Sequence, residues 1–384
     1  MTFPPSRYSP SRYSPSGYFA IISRAMLACV LLSLSTIAWS DDDQLRSTIY
    51  NQDLPLQDRV SAFQELTGLE LDPDRVYRVC IWDIFGRSGP VYAAAQEQRR
   101  KILEFGINVQ MVPYTSESVM VEELKTGTCD AALMSGLRAR MFNRYTGTLD
   151  SIGGFPERQQ MRLALKLMAD SRSADRMVSN GYVVMGIAPA GAAHVFVDDR
   201  AINTLAKAAG KRVAVLDYDP VQAEMIAGIG ATPVVADIVN APNMFNTGVV
   251  DVLAAPLAAY EVMELYKGLE PDGGIVDLPL THITAQLIGR SEVIPNELAQ
   301  FVREAFYDGF DEIISRVRTE EERIPDKWWI EIPAEERLEY DRMMQQARLE
   351  LRDKGYYSPD MLTLQRKIRC RANGAREECT DPVE

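Results

Sequence analysis

From residue 77 onward, short apolar segments alternate with amphipathic ones, and this alternation limits the fold more than any other feature of the chain. The predicted elements are strand 79–82, helix 90–105, strand 108–113, helix 117–126 and strand 131–134. A strand–helix–strand order of this kind requires a parallel sheet with right-handed crossovers. The sequence therefore predicts an α/β fold.

A second α/β pattern follows and is joined to the first by extended segments. Its predicted elements are helix 202–209, strand 212–216, helix 220–228, strand 232–235 and strand 249–254. Residues 182–187 and 194–197 are predicted as separate strands on either side of Pro189-Ala190-Gly191, and 275–290 as one strand that returns to the first pattern. Two lobes joined by crossing strands leave a cleft between them.

These patterns divide the chain after residue 40 into four parts. We predict a polar lead, 41–74, with one helix at 56–67, and a first lobe made of 75–187 and 275–318. The second lobe is 188–274, and 319–384 is a helical C-terminal extension that serves as a cap or a partner surface.

The N-terminus has the features of an export signal. Three arginines, at 7, 12 and 24, precede an uncharged apolar stretch, and Ala38-Trp39-Ser40 supplies small residues before a cleavage point that three aspartates follow. The apolar stretch 25–39 is about 15 residues long, whereas a membrane-spanning helix needs roughly 20. We expect residues 1–40 to be a cleaved signal peptide and the mature protein to be periplasmic. An uncleaved membrane anchor is the alternative.

Four cysteines remain after residue 40: Cys80, Cys129, Cys370 and Cys379. An even number in an exported chain predicts two disulfides, for which three connectivities are possible. Cys370 and Cys379 suit a local loop, and Cys80 and Cys129 would then tie two early strands together. A zinc site is the alternative, but the chain has two histidines and no C-x-x-C sequence. We expect no metal and no cofactor.

Charge and motif content argue against two classes of function. The formal net charge of −13 gives no basic surface for a nucleic-acid partner. The chain lacks the short motifs of serine hydrolases, zinc proteases and nucleotide enzymes. His194 and His282 are expected to be structural, and Asp219 before Pro220 is explained as a helix N-cap. We predict no catalytic residue; a hydrolase or lyase using Asp83 and Asp217 is the alternative.

Polar and aromatic side chains follow the strands of both lobes, where open α/β sheets bind ligands. The candidate ligand-binding residues are Asp83, Arg87, Ser88, Gly89, Ser135, Arg138, Arg140, Asn143, Asp217, Tyr218 and Pro256. Ser88 is expected to cap the helix that follows it. Two questions stay open. The first is whether Asp83 faces the ligand or only caps its turn. The second is whether Arg138 and Arg140 line the cleft or belong to a solvated helix face.

Several segments resemble the TRAP-type (DctP-like) periplasmic solute-binding receptors. They are Leu124–Asp130 before a strand, Asp150–Pro156, Ile202–Val213 at the entry to the second lobe, and Phe245–Asp251. A closer resemblance is to the AdeT-type periplasmic solute-binding family. It is carried by Cys80–Asp83 with Gly86–Gly89, by Ser135–Asn143, by Val213–Pro220 and by Ile324–Cys379, and it covers roughly residues 75–380.

This resemblance implies a two-lobed periplasmic-binding-protein (Venus flytrap) fold that closes over a small-molecule ligand by hinge motion, without catalysis. It also implies a membrane transporter as partner. An accessory or adaptor role in an efflux system, with 319–384 as the docking surface, is the alternative. One departure matters: where TRAP receptors carry a carboxylate-binding arginine, the matching inward position here is Ala214. An organic-acid ligand is therefore not assumed, and Arg138 or Arg140 could supply the charge from another loop.

Overall fold

The computed structural model describes residues 41–68, 75–104 and 107–384. The predicted signal peptide lies outside the described residues, as does Gly106. The chain divides into two compact units between residues 70 and 71. In the first unit, helix α1 (41–50) precedes α2 (Leu56–Thr67), so the lead has one helix more than predicted. The side chain of Arg59 donates to the carbonyl of Ile49 at 2.8 Å and ties these two helices together.

The second unit begins with the predicted strand–helix alternation. Its elements are β1 (Val76–Trp82), α3 (Pro90–Glu104), β2 (Asn108–Tyr114), α4 (Glu117–Thr126) and β3 (Ala131–Ser135). β1 pairs in parallel with both β2 and β3, as the crossover connections require. Helix α4 has the expected boundaries because Ser116 caps its start and Gly127 ends it in the left-handed region, at a φ of 85°.

Two long strands connect the lobes. β5 (Tyr182–Val197) is one strand of 16 residues, so the prediction of two separate strands around residues 189–191 is wrong. Its first part pairs with β10 (Thr281–Arg290) and its last part pairs with β8 (Val252–Pro256). Pro189 has no N–H to donate, and the pairing shifts register beside it, between His282 and Thr284. β5 advances three residues here, from 189 to 192, while β10 advances two, so the bulge lies in β5 and the strand continues through it.

The second lobe is built on the last part of β5. It contains β6 (Arg212–Leu216), α8 (Pro220–Gly228), β7 (Thr232–Ala236), α9 (Asn240–Asn246), α10 (Ala259–Val262) and α11 (Tyr266–Leu269). The predicted single strand 275–290 is wrong: β9 (Gly274–Val276) pairs with β5 in this lobe, and β10 starts only at Thr281. The predicted helix 202–209 is reduced to a 3-10 turn at Leu205–Ala208.

Helices cover the remaining surfaces of the sheet, whose main strand order is β2-β1-β3-β10-β5-β8-β6-β7. In lobe 1 they are α5 (Gly136–Ala139), α6 (Arg144–Gly147), α7 (Arg158–Ala169), α12 (Asn296–Asp308) and α13 (Phe310–Glu321), and the two-residue strand β4 (Val178–Ser179) extends the edge of β5. Within the described ranges, no helix is both long and apolar enough to cross a bilayer.

The C-terminal extension contributes to the cores of both lobes. It contains β11 (Trp329–Ile330), α14 (Ala334–Asp353), α15 (Pro359–Ala372) and α16 (Glu377–Thr380). Trp328 is buried in the core of lobe 2, where its indole N–H donates to the hydroxyl of Tyr260 at 2.8 Å. Met361 and Ile368 of α15 are buried in the core of lobe 1. The extension is therefore integrated into the fold.

Buried ion pairs fix the end of the extension to lobe 1. Arg369 is fully buried, donates twice to Glu378 (2.8 and 2.6 Å) and once to the carbonyl of Gly154 (2.8 Å). Arg348 pairs with Glu384 at 2.6 Å and donates to the carbonyl of Ile152 at 2.9 Å. Burial alone would raise the pKa of Glu378, but hydrogen bonds and charge from Arg369 and Arg376 outweigh it and lower that pKa to about 2.

The four cysteines form the two predicted pairs. Cys80 in β1 is bonded to Cys129, which precedes β3, with their Cα atoms 5.9 Å apart. Cys370 is bonded to Cys379 across the turn between α15 and α16, with a Cα separation of 5.6 Å. Across the described part of the chain, no group of three or more His, Cys, Asp or Glu side chains is arranged to hold a metal ion.

Candidate functional site

The two lobes meet where the loop after β3 faces the loop after β6. The guanidinium of Arg138, in lobe 1, lies over the ring of Tyr218, in lobe 2, with its central carbon 3.5 Å from the ring centroid. Arg138 is 8% exposed, which excludes the solvated helix face as its environment. A cation stacked on an aromatic ring and shielded from water is a stabilising contact. This pair joins two predicted site residues from different lobes.

A buried carboxylate that the sequence did not indicate lies beneath this pair. Glu117, at the start of α4, is 3% exposed, and its Oε1 accepts the backbone N–H of Ser135 at 2.6 Å. Its Oε2 lies 3.6 Å from Nε of Arg138, a distance too long for a hydrogen bond. Burial raises the pKa of Glu117, while the hydrogen bond from Ser135 and the charge of Arg138 oppose that rise.

Three polar atoms of this cluster are buried without a hydrogen-bond partner: Oε2 of Glu117, Nε of Arg138 and the hydroxyl of Tyr218. Buried polar atoms normally have a hydrogen-bond partner, so three of them without one at a junction of lobes require an explanation, although Glu117 Oε2 and Arg138 Nε face each other as an ion pair. Ser135 caps α5 by accepting the N–H of Arg138 at 3.2 Å and so holds the loop that presents the arginine.

A second arginine and two tyrosines of the extension lie at the same junction. The guanidinium carbon of Arg140 is 4.2 Å from the ring centroid of Tyr356 and 5.1 Å from that of Tyr357. The hydroxyl of Tyr356 donates to Oδ2 of Asp219 in lobe 2. The other oxygen of Asp219 accepts the N–H of Gln222 at 3.0 Å, which confirms the predicted N-cap of α8.

A buried polar network lies where β10 crosses between the lobes. Asp150 is 2% exposed and accepts both the hydroxyl (2.7 Å) and the backbone N–H (3.1 Å) of Thr284. Gln286, on the same strand, accepts the hydroxyl of Thr146 at 2.9 Å and donates to its carbonyl at 3.0 Å. Burial raises the pKa of Asp150 to about 7, although the Thr284 hydrogen bonds and the charge of Arg140 act in the opposite direction.

The loop after β1 is held together by Asp83, whose carboxylate oxygens are hydrogen-bonded to backbone N–H groups of the loop and of α3. Its carboxylate accepts the N–H groups of Phe85 (3.0 Å), Val91 (2.8 Å) and Tyr92 (3.0 Å). Asp83 therefore caps the start of α3, and the prediction that Ser88 does so is wrong. Gly89 lies against this carboxylate, whereas Arg87 and Ser88 are exposed. Asp83 therefore has a capping role, and its contact with a ligand stays a prediction.

Three other predicted residues either have local structural roles or lie at the edge of the junction between the lobes. Asn143 caps α6 by accepting the N–H of Thr146 at 3.0 Å, and its amide donates to the carbonyl of Arg176 at 2.9 Å. Asp217 is exposed, and Pro256 pairs with Ala193 on β5 at the end of β8. Of the eleven candidates, Ser135, Arg138, Arg140 and Tyr218 lie at the junction of the lobes. Ligand contacts by these four residues stay a prediction.

The structure adds four residues to this site that the sequence did not indicate: Glu117, Asp150, Thr284 and Tyr356. Glu117 occupies an ordinary first-turn position of a helix, where acidic residues are common, so its pattern carried no signal. Tyr356 contacts Asp219 across 137 residues of sequence. The pair Tyr356-Tyr357 beside Gly355, in a segment that is otherwise charged, was the one available hint.

Both histidines are structural, as expected. Nδ1 of His194 lies 2.9 Å from the carbonyl of Val276, and Nδ1 of His282 lies 2.8 Å from that of Phe155. Burial lowers the pKa of each imidazole, that of His282 to about 4. Imidazole rings bonded to backbone carbonyls hold the segments on either side in place.

Comparison with known proteins agrees with this arrangement. Residues 90–383 match the family described as "Solute-binding protein AdeT 1/2". The chain is 38% identical over 299 residues to "Probable solute-binding protein AdeT1" of Acinetobacter baumannii, which covers 78% of this chain and 98% of the relative. It is 25% identical over 233 residues to "Probable solute-binding protein AdeT2" of the same organism, covering 61% of this chain and 98% of the relative.

Solved structures of similar fold are TRAP periplasmic solute-binding proteins. One, from Desulfovibrio salexigens with bound orotic acid, has a TM-score of 0.61 at 16% identity and covers 77% of this chain and 99% of its own. Another, from Xanthobacter autotrophicus Py2 with bound β-D-galacturonate, has a TM-score of 0.60 at 17% identity with the same coverage of both chains. The likeness shows that the chain has the two-lobed fold of these receptors.

Proposed function

Because the chain belongs to the AdeT 1/2 solute-binding protein family, we propose that it is an exported periplasmic receptor that captures a small polar molecule between its lobes and delivers it to a membrane transporter. The observation that carries the proposal is the junction itself. Arg138 of lobe 1 and Tyr218 of lobe 2 are in contact, and each has a buried polar atom without a hydrogen-bond partner. A solute that supplies those partners would favour the closed arrangement.

The unpaired atoms indicate what the solute has to offer. Glu117 Oε2 needs a donor, Arg138 Nε needs an acceptor, and the Tyr218 hydroxyl can use either. The charges of Arg138 and Glu117 already offset each other at 3.6 Å. A molecule with both a donor and an acceptor group suits the site better than one with a lone charge, because an added buried charge would have no partner.

Two features support the other parts of the proposal. The N-terminal sequence has the order of a cleaved export signal, and the paired cysteines are typical of an oxidising compartment. The alternative role as an efflux adaptor has no support from the extension, whose Arg348, Tyr356 and Arg369 bond to the chain's own lobes. A receptor of this fold carries out no chemical step, and none is proposed.

The test is ligand-dependent stabilisation. Native mass spectrometry of freshly purified protein is expected to show a bound small molecule, and adding that molecule back at 100 times its dissociation constant should raise the free energy of unfolding by about 2.7 kcal/mol. Tyr218→Phe removes one unpaired hydroxyl and should weaken binding about two- to tenfold.

The control for this test is Tyr266→Phe, which alters an exposed hydroxyl near Glu264 on the surface of lobe 2 and should leave binding unchanged. A folded, empty protein that no metabolite extract stabilises would contradict the proposed function. If a solute binds Tyr218→Phe with unchanged affinity, the binding site lies elsewhere in the protein.

A further inference from the structure

We infer that the C-terminal extension supplies a positioning residue for solute capture: Tyr356 joins the two lobes across the cleft and favours the closed arrangement before any solute binds. The inference rests on the proposed function and goes beyond the hinge motion that the fold implies, because it assigns control of that motion to one segment. We call Lys354, Tyr356 and Tyr357 the clasp.

The clasp is fixed to lobe 1 on one side. The carbonyl of Gly355 accepts from Arg144 at 2.9 Å, and the hydroxyl of Tyr357 accepts the N–H of Ile152 at 3.3 Å. The next residue, Ser358, donates its N–H to the hydroxyl of Thr148 at 2.9 Å. The buried arginines Arg348 and Arg369 hold the flanking helices α14 and α15 to the same lobe. This side of the clasp therefore moves with lobe 1.

The clasp reaches lobe 2 through the start of α8. The Tyr356 hydroxyl bonds Asp219, and Lys354 pairs with Glu224 at 2.5 Å. Tyr357 forms a small apolar cluster with Leu351 and Leu362, and Val221 and Met225 of α8 pack against it. Helix α8 has no fully buried residue; its Ile226 packs against the core of lobe 2, and Val221 and Met225 pack against the clasp.

Tyr356 contacts both lobes through polar groups. Its ring lies on Arg140 of lobe 1 and its hydroxyl bonds Asp219 of lobe 2. Burial and the adjacent Asp219 raise the pKa of Tyr356 well above its usual range despite the charge of Arg140, so the hydroxyl stays a proton donor at neutral pH. Separation of the lobes has to break this hydrogen bond or pull the ring off Arg140.

The consequence for capture follows from population arithmetic. If the solute is held by the closed form, its apparent affinity is reduced by the fraction of receptor that is open. A contact that favours closure without touching the solute therefore tightens binding of any solute. A hydrogen bond to a charged group is strong enough to change the ratio of open to closed receptor severalfold.

The experiment measures the distance between the lobes in the solute-free protein. Spin labels are placed at the exposed residues Gln98 of α3 and Glu261 of α10 through non-cysteine chemistry, which leaves both disulfides intact. Pulsed electron resonance then gives the distance distribution. Tyr356→Phe is expected to raise the open-to-closed ratio about three- to tenfold, and Tyr356→Ala, which also removes the ring from Arg140, should raise it further.

Tyr266→Phe is the matched control, because its hydroxyl bonds only within lobe 2, and its distance distribution should equal that of the unaltered protein. Circular dichroism and melting temperature check that each variant is folded. The inference is overturned if both Tyr356 variants move the distribution no more than the control does. Since no solute is present, this outcome is independent of the binding test, which could still succeed.

Discussion

At the scale of single residues, Asp83 shows how one carboxylate fixes the shape of a loop. It accepts three backbone N–H groups, two of them from the first turn of α3. A side chain at position 89 would collide with it, since a Cβ there would lie 1.7 Å from Oδ1 of Asp83. The pair Asp83 and Gly89 is therefore a packing requirement of the turn.

Asp83→Ala is expected to lower the free energy of unfolding by about 1–2 kcal/mol, the usual cost of losing a helix cap. Urea denaturation measures the change. Asp217→Ala, at an exposed carboxylate in the corresponding loop of lobe 2, is the control and should change stability by less than about 0.5 kcal/mol. A stable Asp83→Ala variant that has lost its solute response would show instead that Asp83 acts on the ligand.

The roles of single residues were predictable from the sequence where their partners are close along the chain, and not where the partners are distant. Asp219 before Pro220 is a local cap and was predicted, because the N–H that it caps, that of Gln222, lies three residues away. Asp83 bonds residues eight and nine positions away, so Ser88, adjacent to the helix, had the better local pattern. Glu117 and Tyr356 depend on contacts between distant segments, and no local pattern reports such contacts.

At the scale of elements, helix and strand boundaries were predictable where glycine and caps mark them. The strands that cross between the lobes were not. Pro189 and Gly191 suggested a break in β5, but the strand accommodates them as a bulge with one extra residue and continues. The segment 275–290 was predicted as one strand because its alternation is continuous, whereas its first residues pair within lobe 2.

Gly191 offers a test of β5 as the connecting strand. Its φ is +97°, and a Cβ there would lie 2.9 Å from Val317 of α13. Gly181 has a φ of +81° in the turn before β5, with nothing within 4 Å of an added Cβ. Gly191→Ala should therefore destabilise more than Gly181→Ala, for which about 1 kcal/mol of backbone strain is expected.

Thermal denaturation of the two variants compares them directly. The difference between their melting temperatures reports the cost of the contact with Val317, because backbone strain is common to both. Equal melting temperatures would mean that α13 moves away from β5 at little cost.

At the scale of the whole molecule, two buried groups give opposite pH dependence to the free energy of unfolding. The pKa of Asp150 is raised from 3.8 to about 7, so its contribution to stability is fully present below pH 3.8 and is lost as pH rises from 3.8 to 7. The pKa of His282 is lowered from 6.5 to about 4, so its contribution is present above 6.5 and is lost as pH falls toward 4. Between pH 4 and 6.5 the two slopes cancel.

Removing either group should expose the slope of the other. Relative to the unaltered protein, Asp150→Asn should add a slope of about +1.4 kcal/mol per pH unit, and His282→Asn a slope of about −1.4, because each group binds one proton. Urea denaturation from pH 4.5 to 6.5 measures both. Slopes that change in the same direction, or not at all, would contradict the buried states assigned to these groups.

The two disulfides also differ in their relation to solvent, and this determines the order in which they can form. Cys80 and Cys129 are both 0% exposed, so no dissolved thiol or oxidant reaches their sulfur atoms in the folded chain. Cys370 and Cys379 lie in a partly exposed turn. The first bond has to be made while β1 and β3 are still accessible, whereas the second can be made or exchanged after folding is complete. Protein produced in a reducing compartment and oxidised afterwards would therefore carry the outer bond and lack the inner one.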